Sequence, residues 1–283
     1  MSFHESSVGI FEGGLLNVGG TLTSSDTSSI KVFDGGRLLS YGTFNNSQNS
    51  TVDVFSGGRL DIRGALNNFE SSSIAIAIGG QMINSGTINN LGILNNSGSL
   101  IHNGSIDNSV GTLHNSGTIS GSGQITGLLT DTGSTAPGVT SGVLTFDNWD
   151  KTGGSLDIDL GGTFSGDGDK SLTEFDWIDV SGTANLGGTL NLQLISGFEL
   201  DDLYSFTIIN VQGLLNGTFD GLQEGALVEN FGDFDMFITY IGGDGNDVTL
   251  YSSQVAVPTP SSAMLLLSVS AILGVARRRK LRA

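Results

Sequence analysis

The sequence predicts an all-β chain: a single-stranded parallel β-helix (β-solenoid) with a β-rich C-terminal core, followed by one short C-terminal apolar helix. Three observations carry that expectation. Paired glycines recur every 22 residues, at Gly13-Gly14, Gly35-Gly36, Gly57-Gly58 and Gly79-Gly80. A further glycine follows each pair, at Gly20, Gly42, Gly64 and Gly86, and after it come a small and then an apolar residue, as in Thr21-Leu22 and Thr43-Phe44. Finally, no stretch before residue 260 keeps the three-and-four apolar spacing of a helix, and glycine, 44 of 283 residues, costs about 1 kcal/mol at each helical site.

Taken in chain order, residues 1–7 form an N-terminal segment. Met1–Glu5 has neither the basic nor the apolar region of a secretory leader, so either a misplaced start or a fragment is expected. Residues 8–130 hold the repeat. From Gly86 the beat shortens, with Gly92, Gly98, Gly104, Gly111, Gly117 and Gly123 six or seven residues apart. A beat of six suits one short strand and a corner: in Ile30-Lys31-Val32 or Val52-Asp53-Val54 alternate residues point in and out. Three beats make a coil, and stacked coils bury a face that one coil alone cannot. Asn89-Asn90, Asn95-Asn96 and Asp107-Asn108 sit three and four residues after a beat glycine. They read as turn residues, because Asn tolerates left-handed backbone, with stacked ladders at the corners as the alternative.

Residues 131–252 change texture and read as acidic late coils and a cap. Twenty of the 28 acids lie between Asp131 and Asp247, and longer strands with clean alternation appear at Ser155–Leu160 and Thr189–Leu194. Residues 253–283 form a tail: Val257-Pro258-Thr259-Pro260, an uncharged run over 263–276, and a basic end over 277–283 that opens with Arg277, Arg278, Arg279 and Lys280. Fourteen helical residues span about 21 Å, less than a bilayer core of roughly 30 Å, so a membrane stop held by the basic cluster is expected rather than a long-lived anchor.

Charge and composition narrow the function classes. There is no Cys, which removes disulfides, thiolate nucleophiles and cysteine metal sites. Five of the eleven basic residues lie in the tail, so the remainder carries 28 acids against 6 bases, a net of −22. Such a body repels nucleic acid, which is not expected as a partner, and attracts cations.

The candidate chemical sites are few. Asp157 and Asp159 share a strand face and read as the wet side of an amphipathic strand, with a glycosidase pair or a cation site as the alternative. Asp167 and Asp169 lie in Ser165-Gly166-Asp167-Gly168-Asp169, an acidic turn that can offer calcium its carboxylates. Asp244 and Asp247, in Gly242-Gly243-Asp244-Gly245-Asn246-Asp247, nearly match a calcium nonapeptide but occur once, so a turn into the last strand is preferred. No cofactor is expected; calcium at these four aspartates is the only candidate. His102 and His114, twelve residues apart, are a conceivable metal pair on adjacent coils but read as solvent-facing. Arg37 and Arg59 occupy one repeat column and read as a ladder. No catalytic residue is assigned.

Two resemblances sharpen this reading. The tail resembles the PEP-CTERM sorting signal of Gram-negative bacteria, a Pro-Glu-Pro motif, short apolar helix and arginine cluster read by an exosortase; Thr259 stands where that family usually has Glu. The Pro137-Gly138 junction and the stretch from Phe175 to Leu190 are similar to the late coils of autotransporter passengers and autotransporter-like PEP-CTERM proteins. The resemblance implies a β-helix with a stable C-terminal core, an exosortase-type partner and membrane contact through the tail. It also implies export through an inner-membrane intermediate to the cell surface or extracellular matrix. The expected function is a non-enzymatic structural or adhesive protein, associated with exopolysaccharide or with copies of itself. The alternative is a polysaccharide-active β-helix enzyme, a lyase or hydrolase.

Overall fold

The computed structural model describes residues 1–255, of which Met1–Ser253 forms one compact unit. The sorting motif Val257–Pro260, the apolar run 263–276 and the basic residues Arg277, Arg278, Arg279 and Lys280 lie outside the described residues. The unit is an all-β parallel β-solenoid, as expected, whose described helix is limited to one 3-10 turn at Lys170–Leu172.

Each repeat coil contributes three short strands separated by corners. In the coil from Thr43 these are Thr43–Asn46, Thr51–Val54 and Arg59–Ile62. The register shows why the sequence repeats at 22. Thr43 pairs with Ala65 and Ala65 with Thr87, each step one coil along the stack. The next step, Thr87 to Ser105, is only 18 residues, because the corners lose residues where the beat shortens. Nine third-face strands, from Leu15–Val18 to Thr189–Leu194, form one parallel sheet, and Ser155–Leu160 lies in register beside Thr189–Leu194.

Alternation along each strand fills the interior with columns of like residues. One column runs Leu22, Phe44, Leu66, Ile88, Ile106, Ile125 and Phe146, all 0–1% exposed. Each such side chain stabilises the stack by about 1.5–3 kcal/mol relative to an exposed position. The glycine pairs serve two separate needs. Their first members adopt positive φ (71°, 68°, 74° and 78° at Gly13, Gly35, Gly57 and Gly79). The second members Gly36, Gly58 and Gly80 lie so close to carbonyls of the preceding coil that a Cβ would collide with them.

The Asn pairs correct the sequence reading. Asn90 and Asn96 are not turn residues; they end strands Thr87–Asn90 and Ile93–Asn96 and point into the core. Asn46 donates to Asn68 (2.9 Å), Asn68 to Asn90 (2.7 Å) and Asn90 to Asn108 (2.7 Å), a buried amide ladder. The spare N–H of each of the first three reaches a strand carbonyl of Ser73, Ile93 or Thr112. Burial decides the outcome: an amide one coil away satisfies both its donor and its acceptor, which a solvated turn would not require. Outside the wall, Asn89 donates to Asn67 and Asn67 to Asn45.

A second inner column changes chemistry along the stack. It begins as Ile10, Val32, Val54 and Ile76, becomes Asn96 and Asn115, and ends at Asp131 and Lys151. Asn96 donates to Asn115 and Asn115 to Asp131, each at 2.7 Å. Lys151 closes the column with a 3.0 Å ion pair to Asp131, both side chains fully buried. Thr135 and the Trp149 indole also donate to that carboxylate, which offsets much of the cost of burying it.

Beyond Lys151 the coils enlarge, and Asp157 and Asn191 in adjacent strands are 34 residues apart. The stack closes with a change of direction: Ser205–Val211 pairs antiparallel with Asp247–Gln254, and Leu227–Phe231 with Phe234–Gly242. Phe234, Met236, Ile238, Val248 and Leu250 are buried there. This cap covers sheet edges that a further parallel coil would otherwise occupy.

Candidate functional site

The expected site residues fall in separate places. His102 ends strand Ser99–His102 and is completely buried, which overturns the solvent-facing reading. Its Nε2 donates to the Gln124 carbonyl (2.9 Å) and Asn84 donates to its Nδ1 (3.2 Å); burial lowers its pKa to about 4, so the ring stays neutral. His114 sits in the other sheet, exposed beside Asn95, so the two histidines do not form a metal pair. Asp169 is occupied as the cap of the 3-10 turn: Ser171 donates to it from both its backbone N (3.1 Å) and its Oγ (2.6 Å), which lowers the carboxyl pKa. Asp167 lies in the same turn at positive φ. Asp247 accepts the Val211 backbone N–H (2.8 Å), fixing the cap strand to the last coil, while burial raises its pKa. Among the described residues no group of three or more such side chains converges as a metal site.

The Arg37–Arg59 ladder is present, with a residue that the repeat pattern did not single out. Arg37 and Arg59 lie in register on neighbouring coils, and the buried Asp61 between them accepts from both Nε atoms at 2.6 Å. Asp61 shares a strand with Arg59 two positions on, which is the signal that finds it. Asp157 and Asp159 are half-buried on the outer face. Ser134, Ser155 and Asn191 donate to Asp157, and Asp159 has its pKa raised by burial first and by Asp157 second.

Two surface features follow the coil repeat. At one corner Phe11, Phe33 and Phe55 stack with centroids 4.7 and 4.9 Å apart and planes within 4°. At another, Arg63 lies over Tyr41, 5.2 Å from the ring centroid.

One cleft instead departs from the repeat. The segment 161–176 leaves the stack after Ser155–Leu160 and folds over the outer face of the late coils, roofing a cavity of about 440 Å³. Lys170 from this segment bonds Asp179 (2.6 Å) and Thr145 (2.9 Å), and lies 5.4 Å from the centre of the Trp177 ring. Asn210, one coil further on, donates to the other Asp179 oxygen (2.9 Å). Asp176 lies beneath, accepting from the Gly142 and Asp159 backbones, and burial pushes its pKa up to about 8. The insert that builds this cleft has no periodicity, so the sequence reading did not assemble Lys170, Trp177, Asp179 and Asn210.

The class that the geometry defines is a capped parallel β-solenoid with polar ladders inside its wall. No protein-family model matches the chain, and no curated protein matches it.

Proposed function

We propose that the chain is an exported, non-enzymatic structural or adhesive protein of the cell surface or extracellular matrix of a Gram-negative bacterium, associated with exopolysaccharide. In this reading an exosortase-type enzyme recognises Val257–Pro260 and processes the tail while Arg277–Lys280 hold it at the inner membrane. A β-solenoid is compatible with such a role. The observation that supports it most is the use made of the repeated side chains, which are bonded or stacked to their own counterparts one coil away. A chain so constructed favours stiffness and a regular surface over a reaction centre. Replacing Arg277, Arg278, Arg279 and Lys280 by neutral residues is expected to leave the protein mis-sorted or unprocessed, measured by mass and cell fractionation. A mature mass and location identical to wild type would refute the sorting role.

The cleft favours a second reading, a polysaccharide-active lyase or hydrolase, because Lys170 and carboxylates meet where the repeat is broken. Reducing ends or unsaturated uronates released from a polysaccharide, and lost on Lys170→Ala, would establish it in place of the first.

A further inference from the structure

We infer that the cleft between the inserted segment and the late coils binds a neutral saccharide unit, through the Trp177 indole and the hydroxyl and amide groups beside it. The inference deepens the exopolysaccharide reading and rests on it for its biological setting.

Position comes first. The interior columns continue unbroken past this point, with Phe146 paired to Val180 and Leu156 to Leu190, so the excursion of 161–176, from which only Phe175 joins the apolar core, is not needed to carry those columns on. It adds a roof over one outer face. The resulting cavity of about 440 Å³ falls within the roughly 300–1,000 Å³ of small-molecule sites.

The lining then selects a chemistry. Trp149, the other tryptophan, is fully buried and its indole N–H bonds Asp131. Trp177 stands half-buried at the cleft wall, and its Nε1 is shielded from solvent without a hydrogen-bond partner among the described residues. The cleft therefore offers a ligand the Trp177 ring and not this shielded N–H. The same cleft is lined by Ser205, Thr207, Thr163 and Asn210. A purely apolar ligand would strand these groups.

Charge excludes the opposite extreme. The single lysine of the cleft is already neutralised by Asp179, and Asp247 adds a further carboxylate to the lining. In a body of net charge −22 this cleft repels a uronate or sulfated sugar. What remains is an uncharged ligand with an apolar face for an aromatic ring and hydroxyls on its rim, which is the pattern of a neutral pyranose. Lys170, held by Asp179 and Thr145, fixes the roof in place before ligand arrives.

The test is titration of the purified full chain, in mild detergent, with neutral oligosaccharides built of glucose, galactose or mannose and with an oligouronate, read by tryptophan fluorescence. Because Trp149 is buried, a saturable change reports Trp177. At least one neutral oligosaccharide is expected to bind, at least about tenfold more weakly to Trp177→Ala and more weakly to Thr207→Val. Should Trp177→Ala fail to fold, Thr207→Val and Ser205→Ala decide the matter. Binding by none of the neutral sugars, binding by the oligouronate alone, or affinities unchanged in the variants would overturn the inference. The result is independent of cell sorting, so a failed titration leaves the surface-protein reading standing, and a failed sorting test leaves the cleft.

Discussion

His102 and Asp176 are buried ionisable side chains that act on stability with opposite sign. For His102 the folded pKa of about 4 lies below the ordinary 6.5, so the unfolded chain binds the extra proton between those values. Stability therefore falls as pH drops through that window, by about 3 kcal/mol in all. For Asp176 the folded pKa of about 8 lies above the ordinary 3.8, so the folded chain holds the proton and stability falls as pH rises toward 8. The two contributions oppose one another from pH 4 to 6.5, and from 6.5 to 8 Asp176 acts alone, removing about 2 kcal/mol. Urea unfolding at pH 5, 6.5 and 8 checks this. Asp176→Asn should gain on wild type from pH 6.5 to 8 and His102→Gln should gain from pH 6.5 down to 4.5; variant curves parallel to wild type would count against both assignments.

At the scale of the element, the coil is the unit. Deleting residues 43–64, one full repeat, joins Gly42 to Ala65 and brings Thr21 opposite Ala65 with every alternation preserved. Circular dichroism should show the same β signature with a lower melting temperature, whereas deletion of eleven residues should abolish it, because half a coil sends apolar columns to the wrong corner. Loss of structure in both deletions would mean that the repeat is not the folding unit. The coils were legible in the sequence because a single spacing fixes glycine, alternation and register together. The Asn ladders were visible as a pattern, with Asn46, Asn68 and Asn90 also 22 apart, yet Asn suits turns and ladders alike and only burial separates the two. Asp61 and the cleft were less legible. One depends on which face of the strand is covered, and the other on a non-repeating excursion whose direction no periodicity encodes.

At the scale of the folded unit, what matters is how its last edge is finished. Met236 and Ile238 bury the Phe234–Gly242 strand against the core, and Asp247–Gln254 pairs with the last coil. Met236→Asp with Ile238→Asp should release this cover and expose parallel-sheet edges. Sedimentation should then show mass rising with concentration beyond that of wild type. A double variant that sediments as wild type does at every concentration would show that the cap is not what guards the edge.

The parallel register has a mechanical consequence as well. Along the repeat, backbone bonds such as Phe33 to Ile10, Phe55 to Val32 and Ala77 to Val54 all run from one coil to the next. A pull applied to the two ends of the stack loads these bonds in sequence, as in a zipper, and not all together. Each 22-residue coil that peels away would release roughly 70 Å of chain. Tension would thus be met by stepwise lengthening, and the neighbouring coils would remain folded as templates on which the released coil can re-form.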